Sequence, residues 1–392
     1  MLNKKILIIH DRFQYKGGGE RLCLIMARAL NADILTEYWN ETNSFTKKEA
    51  SGKIFTLGKR FNIRGLGYVS AQLRFFFKTK FIKNYDTIIF SGNNCLSAAW
   101  RAPQARTIMY CHTPVRYAYD LKNYYYQKYP WYGRPVFLFF VLLARAIYQW
   151  GIRKMDVVLA NSQNVQTRLQ KYCGVKSAVV YPPIDLEKFQ SKHCHSERSV
   201  APAERSEESI IDPSLPSVAQ DDKKNIATFY LSFARLVDLK RVDDIARAFQ
   251  QMPDKKLIIA SGGPELPKIK QLAVGYKNIE VLGFVSDAKL TELVQGCIAN
   301  IYIPKQEDFG MTPLEAAAAG KPTIGVDDGG LRETILHEKT GYLIAKDYQI
   351  ADLVKAVQWL DFAKAASMAD ACRAQAEKFG KEKFVQEVRS VV

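Results

Sequence analysis

Short apolar runs alternate with amphipathic helical stretches along this chain, and the alternation stops once and then restarts. In the first half, residues 5–10, 87–90, 107–111, 157–160 and 178–181 read as buried strands. In the second half, residues 228–233, 256–259, 279–282, 298–303 and 323–326 do the same. Helical periodicity fills the intervals, as in residues 20–30, where Leu22, Ile25, Met26 and Ala29 share one face. Strands this uniformly apolar need cover on both faces of their sheet, so the pattern predicts an α/β chain of two doubly wound halves.

A length of 392 residues also favours two domains, of about 180 residues each. The break between them falls at residues 191–224, rich in Ser, Glu, Ala, Pro and Asp and poor in large apolar side chains. That composition predicts a disordered insertion, to which no chemistry is assigned. The expected layout is an N-terminal Rossmann-like domain at 1–190, the insertion at 191–224, a C-terminal Rossmann-like domain at 225–375, and a final helix at 376–392 packing back on the first domain.

Charge is unevenly shared. Residues 1–190 carry 29 Lys and Arg against 11 Asp and Glu, net +18, which leaves −2 for the rest of a chain whose total is +16. A basic half beside a near-neutral half predicts an anionic partner for the first domain. No recognised nucleic-acid motif accompanies the charge, so a nucleic-acid-binding protein is the alternative class and no nucleic acid is expected. Basic residues Lys59, Arg60, Arg64, Arg74, Lys78, Lys80 and Lys83 interleave with Phe61, Tyr68, Phe75, Phe76, Phe77 and Phe81, a pattern of interfacial surfaces as well as of a core helix with a solvated face. Residues 136–150 are apolar but interrupted by Arg145, short of the ~18 residues of a membrane span.

Seven cysteines are scattered without a C-x-x-C pair, which suits a reducing cytosol. His193, Cys194 and His195 form the one cluster with metal-ligand types, and it lies in the polar insertion, so no metal is expected. The chain starts with a strand, without a signal-peptide layout, and a cytoplasmic location is expected.

The most chemically loaded stretch runs from Pro304 to Ile324. It follows an apolar strand at 297–303 and places Glu307 and Glu315 eight positions apart across a strand-to-helix turn. Thr312, Pro313 and Glu315 have the layout of an N-cap, a first-turn proline and a capping-box acid, so Glu315 has a structural reading beside a functional one. Glu307, in a loop before Phe309 and Gly310, has no such structural duty. In open α/β sheets this carboxyl edge is where ligands bind, and helix starts there favour anions.

Pro304, Glu307, Phe309, Gly310, Glu315, Ala316, Ala318, Gly320 and Pro322 together resemble the E-x7-E motif of retaining glycosyltransferases of the GT-B class, family 4. The resemblance implies two Rossmann-like domains facing each other across a cleft. It assigns Glu307 to the donor sugar's hydroxyls and Glu315 to the nucleotide ribose, with the backbone of Phe309, Gly310, Met311 and Thr312 facing the sugar. Arg235 and Lys240 resemble the family's diphosphate-clasping pair, with Ala234 where the family usually has Gly. Gly17, Gly18 and Gly19, just after the first strand, resemble its phosphate and acceptor loop. The segment Cys111-His112-Thr113-Pro114 with Arg116, Tyr117, Tyr119 and Asp120 is similar to that of mannosyltransferase-like members, which sets His112 against the hexose.

These likenesses imply a retaining, metal-independent hexosyltransferase without a cofactor. The implied donor is GDP-mannose, with UDP-hexoses open, and the implied acceptor is lipid-linked or a polysaccharide in cell-surface glycan synthesis. The expected site is the inner face of the cytoplasmic membrane, held there by the basic N-terminal half. A sugar-nucleotide 2-epimerase on a similar scaffold fits the Glu307/Glu315 spacing less well.

Overall fold

A computed structural model describes residues 4–58, 66–189 and 229–392, so the insertion, the His193–His195 cluster and Lys59, Arg60, Phe61 and Arg64 lie outside the described residues. Among the described residues the first half builds seven parallel strands: β1 (Ile6–His10), β2 (Asp33–Thr36), β3 (Ile54–Thr56), β4 (Thr87–Ser91), β5 (Arg106–Cys111), β6 (Val157–Ala160) and β7 (Ala178–Val179), in the order β3-β2-β1-β4-β5-β6-β7. The second builds six: β8 (Phe229–Ser232), β9 (Lys256–Ile259), β10 (Ile279–Val281), β11 (Asn300–Tyr302), β12 (Thr323–Val326) and β13 (Gly341–Ile344), in the order β10-β9-β8-β11-β12-β13. The strands β2, β3 and β13 were not legible as strands in the sequence. They are four, three and four residues long and take their place from a ladder with a stronger neighbour.

Leu7, Ile8 and Ile9 in β1 are fully buried, because helices cover both faces of the sheet. The connection after β1 enters a helix at Gly18–Leu30, two residues earlier than periodicity suggests, so Gly18 and Gly19 open its first turn. The final helix, Lys381–Val391, buries Phe384 and Val388 in the N-terminal core beside Leu22 and Met26, and Arg389 donates to Ala29 O at 2.9 Å. Ile184 N donates to Phe379 O at 3.0 Å close to where the chain crosses between domains.

The apolar stretch near residue 140 is longer than its sequence suggests. Trp131–Ile152 is long and apolar enough to span a membrane by length and composition. Yet Phe137, Val141, Ala144 and Tyr148 pack into the N-terminal core, and the Tyr148 hydroxyl meets Cys111 Sγ at 3.4 Å. Arg145, the interrupting charge, donates to Ala118 O at 2.7 Å and lies over the Tyr119 ring. The helix is therefore a domain element whose outward face carries Leu138, Phe139, Leu142 and Trp150, all exposed.

Candidate active site

Each sheet has one topological switch point, where connections leave in opposite directions and a crevice opens. In the first it lies between β1 and β4, in the second between β8 and β11. Every candidate residue but His112, which follows the neighbouring β5, sits on a loop or helix start after one of these strands.

On the N-terminal side, Gly17 caps the helix Gly18–Leu30 with no side-chain cap, so the first N–H groups of that helix face the cleft unpartnered by a side chain. A side chain here would narrow the cleft. A Cβ on Gly18 would stand 3.0 Å from Met311 Sδ of the other domain, and one on Gly19 would meet the rings of His10 and His112 at 3.7 and 3.8 Å. Below this turn, His10 ends β1, Ser91 ends β4 and His112 follows β5, so three adjacent strand ends carry one polar row. Ser91 Oγ lies 2.8 Å from His112 Nε2 and 3.4 Å from His10 Nδ1. One hydroxyl thus links two imidazoles. Burial, and then His10, push His112 down to about 3, so its imidazole is neutral at physiological pH. These residues, with Asp11, Gly92 and Thr113, line a cavity of about 250 Å³.

On the C-terminal side, Glu307 meets two partners through one oxygen: Lys240 Nζ donates to Oε2 at 2.5 Å and the Tyr302 hydroxyl donates to it at 3.0 Å. Lys240 also donates to the Tyr302 oxygen at 2.5 Å. Burial opposes charge on both groups, but Lys240 and Tyr302 outweigh it and hold Glu307 below its ordinary value, while Glu307 and Tyr302 hold Lys240 above its own. Lys240 therefore stands on the Glu307 carboxylate, apart from Arg235, whose guanidinium lies 4.9 Å over the Tyr15 ring of the glycine-loop segment. Ala234, which replaces the family's glycine, turns its methyl into the C-terminal core.

The capping-box expectation for Glu315 is overturned. The helix is Met311–Ala318 and its N-cap is Gly310, at φ 95, which leaves Thr312 and Pro313 inside the first turn. A Cβ on Gly310 would come 2.6 Å from Leu331 Cδ2, so both conformation and space demand glycine. Relieved of capping, Glu315 points across the cleft to Arg21, at 3.7 Å. Burial raises its carboxyl above the ordinary value and Arg21 opposes that. The Phe309 ring is buried against Tyr181 and Phe379, which leaves only its backbone toward the cleft.

The structure thus sets Gly17, Gly18, Gly19 and His112 on the N-terminal wall of the cleft and Met311, Glu307, Lys240, Glu315 and Arg235 on loops and a helix of the C-terminal side, with Gly18 and Met311 meeting across it. Sequence reasoning missed His10, Ser91, Arg21 and Tyr302. The strand-end position of His10 and Ser91 was the available signal; nothing local marked Arg21 or Tyr302.

Two doubly wound domains with their switch points turned toward a common cleft define the GT-B fold. Residues 16–188 match the family described as Glycosyltransferase Family 4, and residues 216–379 match Glycosyl transferases group 1. The chain belongs to this glycosyltransferase family. It is similar to the alpha-1,3/1,6-mannosyltransferase ALG2 of Mus musculus, 23% identical over 377 residues that cover 84% of this chain and 82% of that protein. Its likeness to the ALG2 of Dictyostelium discoideum is 30% over 215 residues, covering 48% of this chain and 49%, about half, of that protein. Among solved structures, Anabaena HepE in complex with UDP superposes with a TM-score of 0.73 at 17% identity, covering 98% of both chains.

Proposed function

We propose that this glycosyltransferase retains anomeric configuration, needs no metal, and moves mannose from GDP-mannose to a lipid-linked or polysaccharide acceptor in cell-surface glycan synthesis. The observation that carries the reading is the Glu307 carboxylate, partly buried, ionised and fixed by Lys240 and Tyr302 at the switch point of its sheet. A carboxylate so held is oriented to accept hydrogen bonds from sugar hydroxyls. His112, neutral and aligned by Ser91, faces the same cleft and orients the hexose. Arg235, Lys240 and the uncapped start of the helix Gly18–Leu30 offer positive charge to a diphosphate in place of a metal. In this mechanism the bond from the anomeric carbon to phosphate breaks, the acceptor oxygen bonds to that carbon on the same face, and the departing phosphate takes the acceptor's proton. The same cationic groups stabilise the charge developing on that phosphate. Closure of the two domains limits donor hydrolysis.

The reading is tested by binding and slow hydrolysis of GDP-mannose, GDP-fucose, UDP-glucose, UDP-galactose and UDP-N-acetylglucosamine without added metal. Selective binding of GDP-mannose, lost in Glu315→Ala, supports it; preference for a UDP-hexose would replace the donor. No binding to any of the five would overturn it and turn weight to the nucleic-acid alternative.

A cytoplasmic, peripheral position on the membrane is part of the same proposal. Its support is the outward face of the helix Arg134–Ile152, where Phe139, Leu142 and Trp150 are 63%, 64% and 55% exposed, with Lys154 over the Trp150 ring and Arg134 at the helix start. An apolar face rimmed by cations fits an anionic bilayer surface. Sedimentation with vesicles containing anionic lipid should lose the Phe139→Glu, Leu142→Glu variant while retaining the parent; equal retention would remove this face from the proposal.

A further inference from the structure

Three consecutive carbonyls of the Glu307 loop, which belongs to the C-terminal domain, are held by side chains of the N-terminal one. Arg116 Nη2 donates to Gln306 O at 2.6 Å, Asn164 Nδ2 to Glu307 O at 3.0 Å, and Ser162 Oγ to Asp308 O at 2.7 Å. The Asp308 carboxylate is gripped at both oxygens, by Arg168 Nη1 on Oδ1 and by Arg116 Nη1 at 3.5 Å from Oδ2. Asp120 lies behind the guanidiniums, 2.8 Å from Arg168 Nη2 and 3.0 Å from Arg116 Nη2. Two arginines and two aspartates thus alternate across the domain boundary with no net charge.

The loop they hold is not relaxed. Gln306 sits at φ 53, in the left-handed region, although it is not glycine. Its N–H donates to Asp328 Oδ2 at 3.0 Å and its carbonyl is the one taken by Arg116, so both sides of the turn are fixed. A conformation of this kind persists only where its surroundings impose it. Buried ion clusters are weak sources of stability against apolar packing, but they fix geometry closely.

We infer that Asp308, Arg116 and Arg168 are positioning residues, through which the N-terminal domain sets the loop that aims Glu307 at the donor. The inference rests on the donor role of Glu307 proposed above. It differs from that reading in assigning the alignment of the carboxylate to the opposite domain, so that sugar orientation and domain closure become one event.

The mild test is Asp308→Asn, which keeps the side chain's size and leaves both arginines paired with Asp120. Transfer by Asp308→Asn should fall about 10- to 100-fold in kcat with donor KM within about threefold, since a misplaced group near 1 Å out of line loses that much. The hydrolysed fraction of donor should rise, which loss of folded protein alone would not produce. The pair Glu307→Gln, Asp308→Asn should be no slower than Glu307→Gln by itself, because the clamp acts through Glu307. Asn164→Ala, which removes the amide's contacts to Glu307 O and Asp308 O without stranding a charge, should lose about threefold to tenfold and guards against a folding defect in the first variant. Parent-like kcat and hydrolysed fraction in Asp308→Asn, or losses that multiply in the pair, would overturn the inference. If the parent itself transfers no hexose, the transfer reading fails instead. The clamp is then judged by hydrogen exchange at the amides of residues 307–310, which should speed up in Asp308→Asn and whose unchanged protection would overturn it.

Discussion

Replacing Glu307 with Gln separates the work this residue does in the fold from the work it does on substrate. The amide keeps the shape and can still accept from Lys240 and Tyr302, which now stand at 2.5 and 3.0 Å from Oε2. What disappears is the charge opposite a lysine whose side chain is 23% exposed. Breaking a fully buried pair costs about 3–5 kcal/mol; with both side chains about one-fifth exposed and the amide still hydrogen-bonded, about 1–3 kcal/mol is expected, or about 2–12 °C in melting temperature for a domain of this size. Transfer should fall much further, about 10²- to 10³-fold in kcat, the usual effect of losing one charged contact to a reacting group. Adding Lys240→Met to Glu307→Gln removes the stranded ammonium as well. That pair should recover most of the lost stability and none of the activity. The parent should also lose stability in acid: Glu307 titrates below its ordinary 4.5 when folded, so its contribution is complete above that value and fades as pH falls through the lower folded one. Denaturation followed between pH 6 and 3 should show a shallower acid slope in Glu307→Gln. Activity within about threefold of the parent, in protein that melts normally, would refute the donor role.

Three further outcomes follow from the same geometry. His112, with its imidazole pushed down to about 3, binds fewer protons folded than unfolded, so stability should drop as pH falls below about 6.5; His112→Gln should flatten that slope between pH 6.5 and 5, and an unchanged slope would contradict the burial argument. Gly310→Ala forces an alanine to φ 95 against Leu331 and should destabilise by about 2–4 kcal/mol in urea titration, whereas a change under about 0.5 kcal/mol would mean the helix start relaxes freely. Gly18→Ala brings a methyl to 3.0 Å from the flexible Met311 thioether; melting should stay near the parent while donor KM rises about tenfold, and an unchanged KM would remove the glycine turn from the donor site.

Much of the architecture is legible along the chain because it is set by local rules. The runs around Ile8, Ile89, Ile108, Ile258 and Ile324 announce parallel strands by being apolar on both faces, and the glycines and carboxylates after them announce where ligand-facing loops begin. The helix starts were less legible. Gly310 was passed over as an N-cap because Thr312 and Pro313 carry a stronger local signal, and only a left-handed glycine at the strand end allows the helix to begin before them.

By itself, the sequence determined two α/β halves, the E-x7-E spacing, the glycine turn and the cations near it, because strand period, helix period and motif spacing are properties of neighbours in the chain. Tertiary structure alone decided that Lys240 pairs with Glu307, that Glu315 faces Arg21, that Ser91 joins His10 to His112, and that Arg116 and Arg168 reach Asp308. Those contacts join residues 21 to 294 positions apart, and their physical cause is shared: parallel sheets bring distant strand ends to one edge, where charges removed from water must find each other.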